Sequence, residues 1–72
     1  MDRETVIKEF KELLEESLIR KYNPKSQAFY LLGTISAYYE LGIISTSDYK
    51  KLYEEIKGKL GFTTEDFDSI AQ

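Results

Sequence analysis

The chain has 72 residues, 32% of them charged, a formal net charge of −3, and neither cysteine nor histidine. That length suits one domain, 1–72, which buries only about 60% of its unfolded surface and has little stability to spare. Disulfide staples are excluded and zinc sites nearly so, because both rest on cysteine or histidine, so stability must come from well-packed helices or self-association.

The first helix is expected over about 2–21. Asp2 is placed to cap it, and Glu4 suits the positive end of the helix dipole. Val6, Ile7, Phe10, Leu13, Leu14, Ser17 and Leu18 recur at the helical period and form one stripe. Glu4 with Lys8, Lys11 with Glu15, and Glu16 with Arg20 are opposite charges four apart, which support a helix surface. Ile19 falls on the charged side, near Lys8, Glu12 and Glu15. It is either an isolated exposed apolar residue, which is common, or an outlying contact with a second subunit.

Asn23-Pro24 marks the next start. Proline is preset for the first helical position, and the asparagine side chain accepts a bond from an unpaired N–H. The second helix is expected over about 24–41, closed by Gly42 as the residue able to turn left-handed. It contains the stretch SQAFYLLGTISAYYE, in which residues 26–39 carry no charge. These 14 residues are too few for a membrane span, which needs about 20.

On a helical wheel, Ala28, Leu32, Ile35 and Tyr39 form a core arc. Leu31 and Tyr38 flank it on one side, Phe29 and Ser36 on the other. The opposite arc of a surface helix should be charged, yet it holds Tyr30, Gly33, Thr34, Ala37 and Leu41. A helix neutral all round is normally covered on more than one side. Glycine inside a helix costs about 1 kcal/mol against alanine, so Gly33 implies close approach of another backbone, from this chain or from a partner. Tyrosine suits a contact surface, with large area and a polar tip.

The third helix is expected over about 46–60. Ser45 and Asp48 have the spacing of a capping box, Ile44 and Tyr49 that of a hydrophobic staple. Tyr49, Leu52, Tyr53, Ile56 and Leu60 mark its apolar face, with Lys50–Glu54, Lys51–Glu55 and Glu55–Lys59 as outer pairs. Gly61 ends it. The junction then recurs: LGIISTSDY at 41–49 is echoed by LGFTTEDF at 60–67, which predicts a short fourth helix over about 64–71. The expected fold is all-α, a small bundle of three helices plus that short C-terminal one.

No reaction is legible. Without histidine or cysteine there is no ready nucleophile or general base at neutral pH. Glu12, Glu15 and Glu16 lie on the solvent side of the first helix. The acidic run EDFDS at 65–69 lacks the glycine and closing glutamate of a calcium loop. Gly58 and Gly61 have neither the spacing of a phosphate loop nor a preceding strand. No catalytic, cofactor or metal site is therefore expected.

The second and third helices joined by a short glycine turn have the outline of a helix–turn–helix. A recognition helix, however, places Arg, Lys, Asn or Gln near its start to read bases, whereas this one begins Ser-Thr-Ser-Asp-Tyr. Net acidity also opposes nonspecific binding to nucleic acid. Segment 39–61, YELGIISTSDYKKLYEEIKGKLG, resembles the short C-terminal helical hairpins of the SHOCT-like type carried by many bacterial and phage proteins. That resemblance covers about a third of the chain and implies a role in interaction or assembly.

The sequence thus points to a small noncatalytic protein–protein interaction module, self-associating as a dimer. It would act as regulator or inhibitor of another protein, with a phage or mobile-element origin suited to eight Lys against two Arg. Its candidate interface is Tyr30, Gly33, Thr34, Ala37, Leu41 and the outlying Ile19. The alternative is a small helix–turn–helix-like DNA-binding regulator. The N-terminus MDRETVIKEF has no apolar run of a signal peptide, so the expected location is the cytoplasm.

Overall fold

The computed structural model describes residues 2–20 and 23–61. They form three helices, α1 (Arg3–Arg20), α2 (Pro24–Glu40) and α3 (Thr46–Leu60). The fold is all-α, and no described residue lies in a strand. The short helix expected over 64–71 lies outside the described residues.

Each helix is bounded by the local chemistry expected of it. Asp2 Oδ1 accepts the Thr5 N–H at 2.7 Å, which holds its carboxyl below the usual range. Asn23 Oδ1 accepts from the amides of Lys25 and Ser26, with Pro24 in the first turn. At the end of α2 the Gly42 N–H bonds the Tyr39 carbonyl and the Ile43 N–H bonds that of Tyr38, both at 3.0 Å. These two bonds are the Schellman pair, and they require Gly42 to turn left-handed, at φ 76°. Ser45 and Asp48 form the full capping box of α3. Gly61 closes α3 in the left-handed conformation.

The core is one cluster. Val6, Phe10 and Leu14 come from α1, Ala28, Leu31, Leu32 and Ile35 from α2, Leu52 and Ile56 from α3, and Ile44 from the α2–α3 turn. Ser17 is also buried: its hydroxyl donates to the Leu13 carbonyl at 2.8 Å and accepts from Gln27 Nε2 at 2.6 Å. That pair joins α1 to α2.

Three expectations are corrected. Tyr39, placed in the core arc, is 43% exposed. Its ring leans on Tyr49 with centroids 5.4 Å apart, and its hydroxyl lies 3.2 Å from Thr46 Oγ1. Phe29, placed at the edge of that arc, is 64% exposed. Leu18, placed in the α1 stripe, is also exposed. In α2 the buried face is rotated toward Leu31 and Tyr38, because α1 and α3 meet it on that side.

The charges pair across the bundle as well as along each helix. Of the three α1 pairs expected, Glu16–Arg20 forms at 2.9 Å. Glu15 instead reaches Lys59 of α3 at 2.7 Å. The other interhelical pair is bidentate: Arg3 Nε and Nη2 each donate to Asp48 at 2.6 Å. Arg3 and Glu15 are about 18 Å apart along α1, and Asp48 and Lys59 about 16 Å along α3. The matched spacing sets α1 and α3 parallel, with α2 returning between their ends.

Candidate interaction surface

The sequence singles out the outer arc of α2, and most of that arc is exposed among the described residues. Tyr30 is 55% exposed and Leu41 is 74% exposed; Gly33 and Ala37 are exposed and Thr34 is half-buried. Thr34 turns its hydroxyl back to the Tyr30 carbonyl at 2.9 Å, which satisfies that polar atom within the helix. Apart from Gly33, its two neighbours and the adjoining backbone of α2, no described atom lies within 4 Å of a Cβ built on Gly33. Nothing described within the chain therefore accounts for the glycine.

Phe29 belongs to this surface, and the sequence reading missed it. At 100° per residue, Lys25, Phe29, Gly33, Ala37 and Leu41 form one row four residues apart, and all five are exposed. The signal was present in the spacing. The wheel angle alone sets Phe29 at the edge of the core arc, because it does not show on which side α1 and α3 stand.

Ile19 is 76% exposed and stands apart from this row. It lines a shallow hollow on α1 with Glu12, Glu15 and Glu16, and no described α2 residue takes part. Tyr30 borders a different niche, of about 290 Å³, with Leu13, Ser17 and Gln27. The structure thus brings together the five α2 candidates and leaves Ile19 as a separate apolar point.

Other concave regions have another character. A groove of about 600 Å³ runs between α1 and α3, lined by Arg3, Ile7, Lys11, Asp48, Leu52 and Glu55. Two of its charges, Arg3 and Asp48, neutralise each other. The Arg3 guanidinium bonded to Asp48 holds that carboxyl far below the usual range, helped by the Ser45 amide, while Asp48 raises Arg3 in turn. Lys59 is raised chiefly by its bond to Glu15. One Glu55 carboxylate oxygen is buried with no hydrogen-bond partner. Among the described residues no cluster of acidic side chains could hold a metal ion, and no helix is long and apolar enough to cross a membrane.

No family model, curated protein or solved structure matches the chain.

Proposed function

We propose that this chain is a small noncatalytic protein–protein interaction module that self-associates through the outer face of α2 and acts as a regulator or inhibitor of another protein. The observation that carries this reading is the pairing of exposure with neutrality. Of the six large hydrophobics exposed among the described residues, three lie on the outer face of α2 or at its cap: Phe29, Tyr30 and Leu41. α1 and α3 carry their charge on their outer sides, whereas α2 presents aromatic and small residues there. Clustered exposed apolar side chains mark interaction sites more than scattered ones do, and tyrosine is enriched where binding energy concentrates.

DNA binding is less well supported. Asp48 stands at the start of α3, buried and bonded to Arg3, where a reader of bases needs a donor. Lys57 and Lys59 are drawn to Glu54 and Glu15.

Tyr30→Glu tests the reading. The wild-type chain should sediment above its monomer mass at about 100 µM, and the variant as a helical monomer. A wild-type monomer at that concentration refutes self-association. Loss of helical signal in the variant refutes the placement of Tyr30 outside the core.

A further inference from the structure

α2 departs from its neighbours in the sign of its terminal charges. α1 has Glu4 in its first turn and Arg20 in its last; α3 has Asp48 at its start and Lys57 and Lys59 at its end. Those arrangements complement the helix dipole, which favours anions at the N-terminus and cations at the C-terminus. α2 has no acid in its first turn and no base in its last. It carries Lys25 at the beginning and Glu40 at the end, each unfavourable to its own dipole. Both are exposed, and neither forms an ion pair with a described residue.

A second α2 running the other way reverses that sign. Its C-terminus and Glu40 come beside Lys25, and its N-terminus and Lys25 come beside Glu40. A parallel partner sets equal charges at the same level and leaves both dipoles uncompensated. The exposed row supplies the rest of the match. Lys25, Phe29, Gly33, Ala37 and Leu41 are centred on Gly33, so a two-fold axis there sets Phe29 of one copy level with Ala37 of the other. Large side chains then meet small ones, as a self-complementary contact requires. Rows of side chains four apart are also the ridges that most often pack helix on helix. Lys25, Glu40 and Phe29 share one edge of the arc, and the two-fold relating antiparallel helices brings like edges together.

Resting on the self-association just proposed, we infer that two copies pack antiparallel about a two-fold axis at Gly33. The row Lys25–Phe29–Gly33–Ala37–Leu41 of one crosses the same row of the other, and Lys25 of each lies by Glu40 of its mate. The occupant of this face is a second copy of the chain.

Because the chain has no cysteine, single spin labels can be placed cleanly at Ser26→Cys and, in a separate variant, at Ser36→Cys. Both are measured by dipolar EPR at a concentration where sedimentation shows the dimer, with circular dichroism confirming the helices. The antiparallel crossing places the two copies of residue 26 about 20 Å apart and the two copies of residue 36 about 12 Å apart, before label arms are added. A parallel crossing gives about 10 Å at both. A long distance at 26 with a short one at 36 supports the inference. Short distances at both positions overturn the orientation and leave self-association standing. A monomer by sedimentation, without dipolar coupling at either position, overturns both. A dimer in which both distances exceed about 30 Å overturns α2 as the contact, since packed helix axes lie within about 10 Å.

Discussion

Replacing Gly33 with alanine or leucine separates the stability of the fold from the association of two folds. Gly33 lies inside α2 with helical backbone, since Gly42 and Gly61 are the described glycines with positive φ. Beyond its neighbours and the adjoining backbone of α2, a Cβ added there meets no described atom within 4 Å. Neither a clash nor new packing with the described residues therefore arises, and what remains is the intrinsic preference of about 1 kcal/mol for alanine over glycine in a helix. In a domain of this size that is worth roughly 4–8 °C in melting temperature. Leucine is nearly as good a helix former as alanine, so it should stabilise the monomer almost as much. Association responds in the opposite direction. Gly33 at a crossing lets helix axes approach to about 8 Å, whereas leucine holds them near 10 Å. A tenfold weaker dimer, about 1.4 kcal/mol, is the least expected of that separation. The assay is a pair of thermal melts, at about 2 µM and about 200 µM, with sedimentation at the higher concentration. Wild-type melting should rise with concentration, because association stabilises the folded state by mass action. The leucine variant should melt higher than wild type when dilute and gain little on concentration. If alanine lowers the dilute melting temperature, part of this chain fills the space beside Gly33. If leucine associates as tightly as wild type, Gly33 is not the crossing point.

Phe10→Ala should remove about 3–5 kcal/mol, comparable to the whole stability of so small a domain, and abolish the cooperative melt. Ile19→Ala should change stability by less than about 0.5 kcal/mol; a larger loss means the α1 hollow is occupied. Asp48 titrates below the usual carboxylate range in the fold because Arg3 and the Ser45 amide bind its charged form. A lowered folded pKa means that its stabilising effect is complete above about pH 5 and is lost as pH falls through its ordinary value of 3.8 toward the folded one. Asp48→Asn should flatten melting temperature against pH between about 5 and 2. An unchanged slope would assign the acid sensitivity to other carboxylates.

The helix boundaries were legible because their signals are local. Asn23-Pro24, the Ser45–Asp48 box and Gly42 each act within a few residues, so the chain states them in adjacent letters. The interhelical ion pairs were not legible. Arg3 and Asp48 lie 45 positions apart, Glu15 and Lys59 lie 44 apart, and a rule of spacing within one helix cannot see either. Tyr39 and Phe29 failed for a related reason. A wheel orders residues by angle, but the direction of the core is set by where α1 and α3 stand. The opposite arc was legible as a group, since an unbroken absence of charge over 26–39 does not depend on the choice of zero angle.

The position of α2 explains its composition once a second copy is added. α1 and α3 each bury one stripe and turn charge outward, as a helix does when water takes its other side. α2 is covered by those two helices on the Ala28, Leu31 and Ile35 face. In the two-fold pair its other face meets the second α2, so it becomes the inner layer, with α1 and α3 outside it in each copy. A charge between residues 26 and 39 would then lack water on either side, whereas Lys25 and Glu40 at the ends stay hydrated and pair across the axis. The two faces also differ in how damage is read. Loss of a side chain on the buried face lowers stability at every concentration. Loss on the Phe29–Gly33–Ala37 face lowers only the part that grows with concentration. That contrast assigns each α2 residue to the fold or to the contact by melting alone.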